Sequence, residues 1–410
     1  MTTEPSGPFP ARQEALVSAD VGVVHRVDAG VTQYDHPRLA PTFAQVCDTG
    51  PLFGVAHPAR AGGMAEDPRH SRLAALGEAV ERYSAAAVPA SRLRSARPVD
   101  LAGAPLVEPD WTADPGEPGV IRWVRGSRLR PVGSSEPAWI AASRVYLSDA
   151  DEPGRVAVPT STGLACHPDP WRALYSALLE VIERDAVMIT WLTRTGGEPL
   201  RTSLRWLGDQ GNAVRFDRAV EHYELYRLDS PTGVPVVFAV AFGAEQQPGA
   251  AVGAAADLDL GRACRKALVE AHQTMHWASH MMTAGRTGSA DGALRDLDDH
   301  VAHYLDHQYV RAFDFLRRGT RAALDVELGV LPPAVDPEAG CRALVARAEA
   351  AGVDCFAVDV TAPEVRSAGL WVIRAVLPGL YPLLVGDNKR PDHPRLRASA
   401  PVNPDPHPFP

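Results

Sequence analysis

One phrase occurs twice in this chain, and it constrains the fold more than any other feature. The segments DPRHSRLAALGEAVER, from Asp67, and DPWRALYSALLEVIER, from Asp169, both read D-P-x6-A-L-x-E-x-x-E-R. A looser third copy, DLGRACRKALVEAHQ, begins at Asp259. The copies start roughly 100 residues apart, well beyond the period of about 20–50 residues that marks a solenoid. We therefore predict three corresponding helices in related units of one domain.

Each copy has a defined helix start. Asp67, Asp169 and Asp259 can each cap a helix by accepting hydrogen bonds from its free N–H groups. Pro68 and Pro170 then occupy the first helical position, where proline is favoured. The first glutamate of each copy follows its aspartate by eleven residues, which is about 16 Å along a helix axis.

The polar side chains of each copy share one helix face, because positions three and four apart lie together. They are Glu78, Glu81 and Arg82 in the first copy, Glu180, Glu183 and Arg184 in the second, and Glu270 and Gln273 in the third. The second copy is otherwise nearly apolar, which predicts a buried helix. Buried carboxylates are costly unless they are paired or bind a metal.

A single E-x-x-E-R is usually a solvated ion pair, but three copies at one distance from a cap favour a shared site. If the stripes converge, five glutamates outnumber two arginines, and the pocket requires cations. All-oxygen ligands suit Mg²⁺, which usually arrives with substrate phosphates. The sequence holds no P-loop motif. The predicted Mg²⁺ ligands are Glu78, Glu81, Glu180, Glu183 and Glu270.

Composition excludes several classes of protein. The net charge of −9 and the absence of a basic block argue against nucleic acid as a partner. We find no signal peptide and no apolar run of about 18 residues, so no membrane span is expected. Five cysteines without a C-x-x-C pair indicate reduced thiols and a cytoplasmic location.

The remaining pattern predicts an α+β fold with mixed sheets and helices in one large domain. We expect a flexible tail over residues 1–12, a catalytic domain over 13–400 and a proline-rich tail over 401–410. Helical periodicity covers 294–317 and 336–351. The strand candidates are VGVVHRV (21–27), GVIRWVRG (119–126), AWIAASRVYL (138–147), RVAVPT (155–160), YELYRL (223–228), VPVVFAVAFG (234–243), CFAVDVT (355–361) and LWVIRAVLPGL (370–380).

Longer motifs around the three copies resemble the YcaO superfamily. They are AGGMAEDPRHSRLAALGEAVERYS, VPTSTGLACHPDPWRALYSALLEVIERDAVMITWL, AAADLDLGRACRKALVEAHQ and FAVDVTAPEVRSAGLWVIRAVLPGLYPL. The ending VNPDPHPFP is similar to the terminus of azoline-forming members. The resemblance implies an ATP-dependent enzyme that activates peptide backbone amides. It implies thiazoline and oxazoline rings formed at Cys, Ser and Thr of a ribosomally made precursor peptide.

The resemblance also implies site residues. ATP and Mg²⁺ would lie among the repeated helices. The nucleotide-binding candidates are Glu78, Glu81, Arg82, Ser161, Arg184, Glu270 and Gln273. In similar cyclodehydratases the proline-rich terminus reaches the active site, so the α-carboxylate of Pro410 is a candidate base, and His407 is the alternative.

The chain departs from the family pattern in its second motif. Arg172 occupies a position that is commonly glutamate, and Cys166, His167 and Pro168 replace a small glycine-containing stretch. A lost ligand would weaken a metal site, or Arg172 would contact a phosphate directly. A third interpretation is a poor nucleotide binder that serves as a non-catalytic subunit of a peptide-modifying complex.

Partners follow from the same resemblance. We expect a separate protein, similar to ubiquitin-activating enzymes, to bind the leader peptide, and a flavin-dependent dehydrogenase to act later. The oligomeric state is open, with a homodimer as one option. Rival activities are thioamide or amidine formation and a housekeeping modification of ribosomal proteins.

Overall fold

Sheets of two, three, five and seven strands, with helices between them, make up the described part of the chain. The computed structural model describes residues 11–32, 36–53, 60–101, 106–107, 119–147, 159–208, 211–286, 294–319, 321–385, 393–397 and 402–409. The predicted tail over residues 1–12 falls mostly outside these ranges, and so does Pro410. Mixed helices and sheets confirm the predicted α+β class.

The elements are numbered along the chain. The α-helices are α1 (Ala11–Glu14), α2 (Gly50–Phe53), α3 (Pro68–Ala86), α4 (Pro170–Thr193), α5 (Leu260–Thr283), α6 (Leu297–His303), α7 (Pro337–Ala350), α8 (Pro363–Ser367) and α9 (Pro394–Arg397). The strands are β1 (Val24–Ala29), β2 (Ala40–Val46), β3 (Arg60–Ala65), β4 (Leu93–Ala96), β5 (Leu106–Val107), β6 (Ile121–Leu129), β7 (Ser135–Ala141), β8 (Leu164–His167), β9 (Glu198–Arg201), β10 (Arg205–Leu207), β11 (Ala213–Arg215), β12 (His222–Leu228), β13 (Val236–Phe242), β14 (Ala250–Ala256), β15 (Leu324–Asp325), β16 (Phe356–Asp359) and β17 (Trp371–Val376).

The three repeated segments form α3, α4 and α5, and each begins as predicted. The side chain of Asp67 accepts a hydrogen bond from Arg69 N at 2.8 Å. Asp169 accepts from Trp171 N and Asp259 from Arg262 N, at 2.9 and 2.8 Å. These caps satisfy backbone donors that have no partner within the helix.

Each repeated helix follows a strand, and the three strand–helix units close into a ring. The units are β3–α3, β8–α4 and β14–α5. Each helix contacts its own strand and also the strand of the next unit: α3 contacts β8, α4 contacts β14, and α5 contacts β3. The cyclic order turns the same face of every helix toward a common centre.

The sheets place these units. The three-stranded sheet has the order β1-β2-β3, and the five-stranded sheet has the order β14-β13-β12-β9-β15. The seven-stranded sheet runs β5-β7-β6-β16-β17-β8, with β4 paired to β6. Helix α4 contacts β17 of the large sheet and β14 of the five-stranded sheet. Its side chains enter the largest apolar cluster, which confirms the predicted buried helix.

Two sequence predictions were wrong in detail. The strand expected over 138–147 ends at Ala141, and the chain continues as a 3₁₀ turn over Ala142–Arg144. The helical stretch expected over 294–317 is α6 followed by a 3₁₀ helix, His307–Arg318. The strand expected over 155–160 lies mostly outside the described residues. Apolar runs alone cannot separate a strand from a buried turn.

Candidate functional site

The first glutamate of each copy is held by the strand or loop that precedes its own helix. The bonds are Gly62 N to Glu78 Oε2 at 2.8 Å, Gly163 N to Glu180 Oε2 at 3.3 Å, and Ala254 N to Glu270 Oε2 at 3.1 Å. A backbone donor fixes the direction of each carboxylate, and it stabilises the charged form. The same bond in three units explains the constant distance between cap and glutamate.

The second acidic position reaches the next unit instead. Glu81 Oε1 accepts from Cys166 N on β8 at 2.6 Å, and Glu183 Oε2 accepts from Ala256 N on β14 at 3.3 Å. Gln273 of α5 lies in the same way against Gly62 on β3, the strand of the next unit. A Cβ added at Gly62 would lie 2.9 Å from Gln273 Nε2. The second acid of α3 and of α4 therefore faces the strand of the next unit, and Gln273 of α5 does the same.

Gly163 supplies its N–H from a backbone conformation that favours glycine. Its φ is +82°, in the left-handed region. A Cβ at this position would lie 2.5 Å from the carbonyl oxygen of Ala375 on β17. Glycine therefore lets the loop approach β17 while its amide points toward Glu180.

Burial and mutual repulsion make the cluster resist ionisation. Burial, then the charges of Glu180 and Glu78, raise the pKa of Glu81 well above its usual range. Burial raises the pKa of Glu180, and burial with Glu270 raises that of Glu183 further. Burial raises the pKa of Glu270 to about 7 despite the opposing charge of Arg184. The site is thus short of positive charge.

Arg184 is the positive charge that lies next to the two glutamates of α4. Its guanidinium lies 3.5 Å from Glu183 Oε1 and 3.7 Å from Glu180 Oε1. Within the described residues, its Nε and Nη1 atoms have no hydrogen-bond acceptor. Arg82 bonds Glu78 Oε1 through Nη2 at 2.5 Å, and its Nε is also without an acceptor in that part of the chain. Unused guanidinium donors are suited to phosphate oxygens.

Sequence reasoning missed a third arginine. Arg374 on β17 is buried and donates to the carbonyls of Arg144 and Thr160 at 3.0 and 2.8 Å. Burial lowers its pKa to about 10, although the charge of Glu180 opposes that shift. Arg374 thereby fixes the loop that carries Ser161. The detectable signal was a charged residue inside an apolar strand candidate.

A cavity of about 350 Å³ lies between α5 and the end of β3. Glu270 and Gln273 form part of its wall, and both were predicted. Residues that the sequence did not single out complete it: Met64, Ala65, Glu66, Asp67, His70, Trp206, Arg265, Lys266 and Val269. The indole of Trp206 donates to Glu66 Oε1 at 2.6 Å, and Arg265 stacks over its ring at 5.2 Å. The cavity therefore opens beside the acid cluster and has an aromatic wall.

The tail candidates are only partly described. Phe409 is fully buried and its ring faces Arg184. His407 Nε2 is hydrogen-bonded to the carbonyl of Leu384 at 2.8 Å, and its ring stacks on His300. Pro410 lies outside the described residues. The roles of Pro410 and His407 as bases stay predictions.

Which residues bind Mg²⁺, and what Arg172 does, also stay predictions. Among the residues that the structure describes, no three His, Cys, Asp or Glu side chains form a group able to hold one ion. Arg172 lies in the first turn of α4 and is partly buried. Neither finding decides between the interpretations given above.

Solved structures share this fold. A heterocyclase in complex with substrate and cofactor aligns with a TM-score of 0.72 and 18% identity, over 97% of this chain and 56% of that chain. YcaO from Methanopyrus kandleri bound with AMPPCP and Mg²⁺ aligns with a TM-score of 0.63 and 20% identity, over 87% and 86% of the two chains. A chain of the E. coli microcin synthetase McbBCD complex aligns with a TM-score of 0.64 and 14% identity, over 94% and 96%. The present chain thus spans little more than half of the heterocyclase.

Curated proteins gave no match to this sequence. Among the described helices, none combines the length and apolar character that crossing a membrane requires. The family model described as YcaO cyclodehydratase, ATP- and Mg²⁺-binding, matches residues 62–381. That range contains all three repeated helices and their glutamates, and the chain belongs to the YcaO family.

Proposed function

We propose that this chain is an ATP-dependent cyclodehydratase that forms thiazoline or oxazoline rings at Cys, Ser or Thr of a ribosomally made peptide. The observation that carries the proposal is the cluster of buried glutamates on α3, α4 and α5 beside Arg184, whose Nε and Nη1 are without an acceptor in the described structure. The family description and the heterocyclase and microcin synthetase relatives support it.

The site fits ATP and Mg²⁺ on its own chemistry. Carboxylates with raised pKa values gain most from a divalent cation, because the cation removes their mutual repulsion. We assign Mg²⁺ to the glutamates of the three repeated helices. We assign the phosphates to Arg184 and Arg82, with Ser161 beside them. The cavity next to Glu270 and Gln273 has room for the remainder of the nucleotide. Bound Mg²⁺ would neutralise charge on the transferring phosphoryl group.

The chemistry follows from the poor leaving ability of an amide oxygen. The side-chain sulfur or oxygen of the peptide adds to the preceding carbonyl carbon while a base takes its proton. The new oxyanion takes the γ-phosphoryl group of ATP, and ADP is released. Phosphate then leaves with its electron pair as the former amide nitrogen loses its proton, and the C=N bond of the azoline forms.

Within this scheme the protein's residues mainly orient and stabilise. Arg184 would hold the phosphoryl oxygens where negative charge develops, which is usually the largest contribution to catalysis. Arg374 would keep the Ser161 loop in place through its two carbonyl contacts. The base is assigned to the α-carboxylate of Pro410 or to His407. The contact of Phe409 with Arg184 supports a tail that lies near the phosphates.

The partners are part of the proposal. We assign a precursor peptide as substrate, a separate leader-binding protein similar to ubiquitin-activating enzymes, and a flavin-dependent dehydrogenase as a later enzyme in a cytoplasmic pathway. A relative within the E. coli McbBCD complex has also been solved with pro-MccB17 bound. That structure supports a peptide-modifying assembly of several proteins.

The decisive experiment is co-expression of this chain with candidate precursor peptides and leader-binding proteins encoded nearby, followed by mass spectrometry. We expect the peptide to lose one water for each ring formed. A gain that matches exchange of oxygen for sulfur would contradict ring formation and favour thioamide chemistry. An unmodified peptide, with no Mg²⁺-dependent nucleotide binding, would identify the chain as a non-catalytic subunit.

A further inference from the structure

The C-terminal tail, defined here as residues 402–409, lies antiparallel along the second half of α4. Asn403 N donates to the carbonyl of Leu192 at 2.7 Å, and Asn403 Nδ2 donates to that of Trp191 at 3.1 Å. Trp191 Nε1 in turn donates to the carbonyl of Asp405 at 2.9 Å. The Leu192 carbonyl, in the last turn of α4, thereby gains a partner from the tail, while the Trp191 carbonyl also accepts from Arg194 N at 3.3 Å. The tail is thus fixed to α4 by its own backbone.

Arg194, just past the end of α4, strengthens this attachment. Its backbone is left-handed, with φ at +52°. Its Nε donates to Asn403 Oδ1 at 3.0 Å, and its Nη2 donates to Asp405 Oδ2 at 2.9 Å. One side chain therefore holds two tail residues at the C-terminal end of α4.

Three hydrogen bonds and one stacked pair of rings hold the far end of the tail. Tyr304 Oη donates to the carbonyl of Pro406 at 2.5 Å. His300 Nδ1 lies 2.9 Å from the carbonyl oxygen of His407, and the two imidazole rings stack with centroids 3.9 Å apart. His407 Nε2 bonds Leu384 O at 2.8 Å. The contacts leave the last described residue, Phe409, in a fixed position.

Phe409 lies under the guanidinium of Arg184. It is 0% exposed, and Arg184 Cζ is 3.9 Å from its ring centroid. A guanidinium over an aromatic face is attracted by the ring, most strongly when both are shielded from water. The Phe409 ring therefore covers one side of the guanidinium, whose donors all lie in its own plane. Arg184 correspondingly stays 3.5 and 3.7 Å from two glutamates without hydrogen-bonding their oxygens.

We propose that Phe409 is a positioning residue, which keeps the Nε and Nη1 donors of Arg184 available for phosphate. Without the ring, Arg184 is free to turn toward Glu183 and Glu180 and form tight ion pairs with them. Those pairs would occupy the donors that the phosphate needs. The inference rests on the proposed function, because it assumes that Arg184 binds the phosphates of ATP.

The experiment measures binding of AMPPCP with Mg²⁺ to the full chain by calorimetry. Phe409→Leu keeps an apolar side chain of similar burial and removes the aromatic face. We expect its affinity to fall about tenfold, the effect of one hydrogen bond between Arg184 and a glutamate that must break before phosphate binds. Phe409→Tyr keeps the ring and is expected to retain wild-type affinity. Trp371→Leu is the matched control, because Arg366 stacks over Trp371 at 3.6 Å, and it should bind like wild type.

A second comparison separates positioning from a general effect on the fold. In an Arg184→Ala background, Phe409→Leu should cause no further loss of affinity. Equal losses with and without Arg184, or wild-type affinity in Phe409→Leu, would overturn the inference while the proposed function stands. A wild-type chain that binds no Mg²⁺–AMPPCP would remove the proposed function itself, and with it this role for Phe409.

Discussion

Helices α4 and α5 begin in the same way but differ at the positions that set the charge of the site. Both have an aspartate cap and a first glutamate held by an N–H of their own unit's strand or its preceding loop. In α4 the next positions are Glu183 and Arg184, whereas in α5 they are Gln273 and Thr274. In α4 these two side chains add one negative and one positive charge to the glutamate cluster. The two corresponding side chains of α5 are uncharged.

The comparison shows which residues of the repeat hold the helix in place and which differ between units. The cap and the first glutamate recur in all three units, because each glutamate fixes its helix to the preceding strand or loop. The second position varies with the boundary it faces. Glu81 and Glu183 face backbone N–H groups, while Gln273 lies beside a glycine and the cavity. Function is therefore divided unequally among similar helices.

The largest effect is expected for the shared glutamate of α4. Glu180→Gln should reduce ATP turnover at least about 100-fold, because a neutral amide neither binds Mg²⁺ well nor balances Arg184. The melting temperature without nucleotide should stay the same or rise, since burial already disfavours the charged form. Turnover of ATP in the presence of the precursor peptide is the measurement. Glu349→Gln, an exposed glutamate of α7, should behave like wild type.

The next effect concerns the shared glutamate of α5 and depends on pH. Burial raises the pKa of Glu270 to about 7 in the folded chain, from 4.5 in the unfolded chain. Between these values the folded chain binds more protons than the unfolded chain, so the free energy of unfolding decreases as pH rises. Glu270→Gln removes this pH-dependent decrease in the free energy of unfolding. The ligand-free variant should be on the order of 3 kcal/mol more stable than wild type at pH 8, and within about 1 kcal/mol of it at pH 5.

Glu224 provides the control of opposite sign. Burial alone would raise its pKa, but hydrogen bonds from Arg317 and Tyr226 hold the pKa below its ordinary value. Its stabilising contribution is therefore present above the unfolded pKa and lost as pH falls. Glu224→Gln should be less stable than wild type at pH 8. Chemical denaturation at both pH values checks the pair, and a Glu270→Gln variant weakened at pH 8 would contradict the assigned repulsion.

The smallest effect comes from making α5 resemble α4 more closely. Gln273→Glu would add a carboxylate one turn from Glu270, on the same helix face as the other glutamates of the cluster. At pH 8 without ligand we expect a loss of about 1 kcal/mol, one pKa unit of extra repulsion. Mg²⁺ alone should restore more stability to the variant than to wild type. Thermal unfolding with and without Mg²⁺ measures both quantities. An unchanged melting temperature would show that a carboxylate at position 273 is not repelled by the glutamate cluster.

The sequence predicted the parts of the site that depend on local geometry. A cap and a glutamate eleven residues later are properties of one helix, so Asp169 and Glu180 could be placed without knowledge of the fold. The partner of Glu81 could not, because Cys166 N lies on a strand 85 residues away. The pairing of Arg374 with two loop carbonyls and the stacking of Phe409 on Arg184 likewise arise only from tertiary contacts.

Binding of AMPPCP to the wild-type chain, measured by calorimetry with and without Mg²⁺, tests the central claim most directly. We predict one nucleotide per chain, with affinity that requires Mg²⁺ and that falls when Glu180 or Glu183 becomes glutamine. Binding that is indifferent to Mg²⁺ and to both substitutions would contradict the claim that the converging glutamates form the metal–nucleotide site.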